Sequence, residues 1–204
     1  MSQRVLDVSA LPIGTDDSRA LIWWGNIGMM VIEGTVFAMA LTTFLYLRMA
    51  NLDWPPATVP KPDMLWPTVN LVLLILSAIP AVMADRAAQS QDVFGMRFGM
   101  LLCVLAGIVF LAIRYVNMIN LGYKWSDHAY GSIVWVVFGM HTFHTFAATG
   151  ETLLLLIYIL FNPVTKSRRL DVRCGAVYWY FLVITWLPFY FLIYVQPWMH
   201  RKGM

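Results

Sequence analysis

The sequence predicts an all-α integral membrane protein, a bundle of five transmembrane helices. Three observations carry that prediction. Apolar residues make up 60% of the 204 and charged residues 12%, against about 25% charged in a typical soluble domain. Mean hydropathy is +0.67. The apolar residues also gather into five long stretches, each holding one acidic or basic residue or none. A chain of this length in water cannot hide so much apolar surface. Disorder is excluded too, because it needs low hydrophobicity and high charge. Fourteen basic against eleven acidic residues leave a net charge of +3 and form no basic stripe, which argues against a nucleic-acid partner. Cys103 and Cys174 lie far apart and make neither a disulfide framework nor a Cys-rich zinc site.

Crossing ~30 Å of hydrocarbon takes about 20 helical residues, and five segments are long enough. Residues 1–19 form a polar arm. Its Asp7, Asp16 and Asp17 interrupt any apolar core, so it is not a cleavable signal. The first span, 20–47, contains one charge, Glu33, and the second, 64–84, none. Between them a connector with Pro55, Pro56, Pro60 and Pro62 should run extended. The third span, 98–123, holds Arg114, and the fourth, 129–161, holds Glu151. The fifth, 174–199, is uncharged, with Pro188 expected to kink it before a short tail, 200–204. Runs such as 71–76 and 153–161 lack the alternation of a membrane β-strand.

Basic residues near span ends set the expected orientation. Arg4, Arg19, Arg86, Arg97, Lys166, Arg168, Arg169 and Arg173 share the side of the N-terminus. Arg48, Lys61, Arg114, Lys124, Arg201 and Lys202 lie toward the other. The cluster at 166–169 decides the matter, placing the N-terminus in the cytoplasm and the C-terminus outside. Trp23, Trp24, Trp54, Trp66, Trp125 and Trp198 fall near span ends, as an interfacial aromatic belt requires.

Ionisable groups at bilayer depth are costly and mark candidate sites. Glu33 lies halfway along the first span. His141, His144 and Glu151 fall close to one stripe of the fourth, since each residue advances about 100° around a helix. The three should therefore face the bundle interior together. They could hold a metal, but bundle metal sites draw ligands from several helices, so interhelical hydrogen bonding is the better reading. No catalytic, cofactor-binding or metal-binding residue is assigned. Arg114 and Asn117 are placed to reach the interface by snorkelling. By chemistry alone the chain reads as a partner subunit. A small proton-coupled transporter using Glu33 and His144, and a metalloenzyme built on His141, His144 and Glu151, remain alternatives.

Four stretches together carry a family resemblance. The segment WWGNIGMMVIEGTVFAMALTTFLYLR (23–48) resembles a Trp-Trp-Gly helix with an intramembrane carboxylate in subunit III of the haem–copper oxidases. WPTVNLVLLILSA (66–78) is similar to that family's Leu-Pro-x-x-Asn-Thr helix. SDHAYGSIVWVVFGMHTFHTF (126–146) is similar to its Ser-Asp-Gly-x-Tyr-Gly-Ser loop followed by Phe-His-Gly-Leu-His. YWYFLVITWLPFYFLIY (178–194) resembles its Trp-Tyr-x-His-Phe-x-Asp-x-x-Trp helix. The order holds over nearly the whole chain, and five spans match the short form of the family.

The resemblance implies an accessory subunit with no cofactor of its own, in a cytochrome c or quinol oxidase of the cell's inner (plasma) membrane that reduces oxygen to water. Haem and copper would belong to partner subunits. The chain would pack on the catalytic subunit I, bind phospholipid and support proton uptake. The family carboxylate falls on Glu33 and its paired histidines on His141 and His144, with a Glu33–His144 hydrogen bond implied. Trp23, Trp24, Arg48, Arg114, Asn117 and Tyr180 are the interface or lipid-contact candidates. The family's glutamine and acid near the end of the third span align with Arg114 and Asn117, and its last-span His and Asp with Tyr180 and Val183. These departures leave a nitric oxide reductase as an alternative complex.

Overall fold

The computed structural model describes residues 21–200, and the polar arm (1–19), Ala20 and tail residues 201–204 lie outside them. Five helical spans are present and, among the described residues, no strand. α1 is Leu21–Ala50. α2 (Leu65–Leu76) and α3 (Ala78–Ser90) together make the second span. α4 is Val93–Ile119, α5 is Ala129–Phe161 and α6 is Lys166–Tyr190. A π-helical turn over Phe191–Val195 leads into α7, Gln196–His200.

The first and second spans run on past their apolar stretches, and the third and fifth begin before theirs, because backbone hydrogen bonding continues into the interface where charged side chains are solvated. The fourth keeps its expected bounds, and the third ends at Ile119 rather than 123. The third span starts at Val93 rather than 98, where Asp92 caps it by accepting from the Phe94 N–H at 3.1 Å. The fifth starts at Lys166 rather than 174, with Thr165 as its N-cap. The basic cluster thus opens a helix instead of closing a loop. The second span is interrupted at Ser77, because Pro80 has no N–H to return to the Leu76 carbonyl. The Ser77 hydroxyl donates to the Leu74 carbonyl at 2.6 Å and accepts from the Trp179 indole N–H at 2.8 Å, so the break is tied to α6. In the last span Pro188 lies within α6, and the widened π turn follows three residues later, a common way of relieving a lost helical bond.

α6 is the most buried span and α1 the least. The main core joins Phe37 and Phe44 of α1 to Phe110 of α4, Val134 and Phe138 of α5, and Trp186 and Phe189 of α6. α3 and α4 approach closely through Gly99, where an added Cβ would stand 2.8 Å from the Ala84 backbone nitrogen. Small residues at such crossings let membrane helices pack without a hydrophobic driving force. Of the expected aromatic belt, Trp24, Trp66, Trp125 and Trp198 are exposed. Trp54 is not part of the belt. The connector folds it inward, with its ring 5.4 Å from Phe44 and 5.1 Å from Tyr130.

Gly99→Val should separate α3 from α4 and lower stability by about 1–3 kcal/mol, the usual cost of overpacking. Reversible unfolding in mixed micelles measures this, and an unchanged midpoint contradicts the close crossing.

Candidate functional site

Three helices bring their polar side chains together at one seam. Glu33 stands midway along α1, at the point where α1 leans on α5 and α6. Its Oε2 accepts a 2.7 Å hydrogen bond from the Tyr178 hydroxyl of α6. Its Oε1 lies 3.7 Å from His144 Nε2 of α5. That separation is within ion-pair range but too long for a hydrogen bond, so the expected Glu33–His144 bond is replaced by the one from Tyr178. The reason is reach: the phenol projects straight into the seam, while the imidazole is drawn back toward its own helix. His144 Nδ1 lies 2.6 Å from the Met140 carbonyl. A carbonyl only accepts, so Nδ1 carries the proton.

This geometry limits the chemistry. With Nδ1 committed, neutral His144 turns a lone pair toward Glu33, and an ionised Glu33 has only lone pairs to offer in return. The pair closes attractively when one proton sits on either partner, while Tyr178 donates to the far carboxylate oxygen. The cluster therefore sets two acceptor atoms 3.7 Å apart beside a fixed hydroxyl donor. It is not sealed, since the His144 and Glu33 side chains keep 19% and 21% of their exposure. Phe37 packs against both histidines, its ring centroid 5.3 Å from His144 and 6.3 Å from His141.

His141, His144 and Glu151 do not converge as their spacing implied. His141 is fully buried and donates through Nε2 to the Leu182 carbonyl at 3.1 Å. His144 sits at the seam with α1, and Glu151 is exposed in the groove between α5 and α6 beside Asp171. The angular drift between positions three and seven apart carries them onto different neighbours. Among the described residues no three His, Cys, Asp or Glu side chains are grouped as metal ligands.

Arg114 does not snorkel. It is 1% exposed, with its guanidinium carbon 3.6 Å from the Trp186 ring centroid, 4.8 Å from Phe138 and 5.0 Å from Phe110. It lies on the face of α4 turned toward α5 and α6, so the bundle encloses it before it can reach the interface. Nε and Nη2 have no hydrogen-bond partner, and three aromatic faces take the place of a counter-ion. Asn117, one turn on, is likewise buried. Of the other candidates, Trp23 packs against Leu170 and Cys174 under the Arg173 guanidinium, 5.4 Å away. Trp24 is exposed, while Arg48 and Tyr180 are half-buried. Tyr178 and Trp186 are the contributors that sequence reasoning missed. Both lie in the uncharged stretch 174–199, where the only hint was a phenol and an indole able to meet polar groups on other helices.

The family model described as cytochrome c oxidase subunit III matches residues 20–199. Cytochrome c oxidase subunit 3 of Thermostichus vulcanus is 25% identical over 180 residues, covering 84% of this chain and 85% of that protein. The probable cytochrome c oxidase subunit 3 of Nocardia farcinica is 29% identical over 180 residues, covering 87% and 86%. The subunit 3 of Synechocystis sp. is 25% identical over 178 residues, covering 84% and 74%.

A double-mutant cycle of Glu33→Gln with Tyr178→Phe should return a coupling of about 0.6 kcal/mol, the average for intramembrane hydrogen bonds. Additive effects on unfolding contradict the contact. A cycle of Arg114→Met with Trp186→Leu should return about 2 kcal/mol, as for a desolvated cation–π pair. A value near zero contradicts the aromatic enclosure.

Proposed function

The chain belongs to the cytochrome c oxidase subunit III family, and on that premise we propose how this accessory subunit serves a haem–copper oxidase. It is a multi-pass membrane protein that packs on the catalytic subunit I, steadies it and helps supply the protons consumed when oxygen is reduced to water. Haem and copper reside in the partner subunits, and phospholipid fills the seams it shares with them. The observation that carries this reading is the family match across all five spans. The Glu33–Tyr178–His144 cluster supports the proton role, because Glu33 Oε1 and His144 Nε2 face each other 3.7 Å apart at a seam that is partly open.

In this reading the protein resides in the plasma membrane with its N-terminus in the cytoplasm. Arg86, Arg97, Lys166, Arg168, Arg169 and Arg173 support that orientation, since all lie at the helix ends on the N-terminal side. On the opposite side, enclosed Arg114 no longer counts as a loop charge, which widens the bias beyond the bare tally.

Purification in a mild detergent should yield a haem-bearing complex that consumes oxygen. A preparation without haem-bearing partners, or one that consumes nitric oxide instead, contradicts the assignment. In that complex Glu33→Gln should leave assembly and most electron transfer intact while slowing proton uptake or shortening turnover lifetime. Loss of all oxygen reduction with assembly and haem spectrum preserved contradicts the accessory role.

A further inference from the structure

Glu151 stands about 15 Å along α5 from the end of that helix, with the uncharged run 153–161 between it and the next loop. A carboxylate on a membrane span is costly unless a cation or a donor meets it. Elsewhere in the bundle that demand is met. Asp85 pairs with Arg173 at 3.3 Å, Asp171 with Arg168 at 2.8 Å, and Glu33 with the Tyr178 hydroxyl at 2.7 Å. Glu151 is exposed, and among the described residues it has no hydrogen-bond or ion-pair partner. Arg168 lines the same groove but is spent on Asp171 and on the Tyr158 ring, 4.6 Å from its guanidinium carbon. The counter-charge for Glu151 is left to another molecule.

The groove around Glu151 has the shape for one. It is open, with a volume of about 660 Å³. Its floor on α5 is small, Ala147 and Gly150, and a Cβ added at Gly150 would meet nothing within 4 Å. Phe146 and Leu154 flank that floor and are 64% and 70% exposed. A small floor between bulky flanks lets a second helix approach closely in a membrane. A second copy of this chain, docked here across a two-fold axis, would set Glu151 against Glu151, and like charges repel. The groove therefore fits a different helix, one that carries a cation.

We propose that this groove docks one transmembrane helix of a neighbouring subunit, and that a lysine or arginine of that helix pairs with Glu151. Apolar side chains of the same helix pack over Gly150, between Phe146 and Leu154. The proposal rests on the reading of this chain as a member of a membrane complex, and not on which reaction that complex performs.

Photo-crosslinking within the intact, purified complex tests it. With p-benzoylphenylalanine in place of Leu154, irradiation and peptide sequencing by mass spectrometry should return a transmembrane peptide of another subunit. That peptide should hold a lysine or arginine within about two helical turns of the linked residue. Glu151→Lys should lower the cross-link yield about tenfold, the scale of one strong interhelical polar contact in a membrane. Exchanging the identified partner cation for glutamate in the same complex should restore it. Gly150→Phe adds a ring where this chain leaves open space, so it should abolish the cross-link even where Glu151→Lys fails to fold. A cross-link only to lipid, to this chain or to a second copy of it overturns the proposal. So does a linked helix without a basic residue, a yield unmoved by Glu151→Lys or by Gly150→Phe, or no rescue by the charge exchange. The haem spectrum and oxygen consumption of the same preparation report on the oxidase reading separately.

Discussion

Hydrocarbon offers no hydrogen bonds, so a polar side chain on a transmembrane helix must find its partner inside the bundle or draw back to its own backbone. That constraint orders this structure. Glu33 meets Tyr178 and His144 across three helices, and Trp179 meets Ser77 at the break in the second span. On α5, Thr145, Thr149 and Thr152 each return their hydroxyl to the carbonyl four residues back. Thr42 and Thr43 do the same on the exposed side of α1, which lets a helix present threonine to lipid without cost in unsatisfied donors. Arg114 stands apart, because its charge is held by aromatic faces rather than by an anion.

The same economy explains how α1 is attached. It shares only a narrow buried stripe with the rest, Phe37, Ala40 and Phe44. Around that stripe its fixed points are few: Glu33 to Tyr178, and the Asn26 amide donating to the Cys174 carbonyl at 3.1 Å. An aromatic cluster around Phe37 links it to His141, His144, Phe181 and Phe189. A helix held this way leaves its carboxylate at a seam rather than in a sealed core. The Glu33 and His144 side chains therefore keep 21% and 19% of their exposure.

Span number and order were legible because hydrophobic length is a property of the chain alone. So was the cost of Glu33, since a carboxylate in a 28-residue apolar stretch needs a partner wherever it points. What could not be read was which partner. Tyr178 lies 145 residues from Glu33, and nothing in its own segment separates it from the neighbouring aromatic residues. The helical stripe that grouped His141 with His144 and Glu151 was sound as geometry of one helix. It failed because neighbours lie on several sides of α5, so a drift of a fraction of a turn changes what each residue touches. Arg114 misled for the related reason that depth was legible while facing was not. The starts of the third and fifth spans slipped by several residues because apolar character stops at the interface and hydrogen bonding does not.

α1, α5 and α6 meet at the seam where Glu33, Tyr178 and His144 gather. A density map of the assembled complex at side-chain resolution tests that gathering most directly. It should show the Tyr178 hydroxyl within hydrogen-bonding distance of the Glu33 carboxylate, with the His144 ring on the carboxylate's other oxygen. A Glu33 side chain turned outward among acyl chains, with Tyr178 and His144 paired elsewhere, would contradict it.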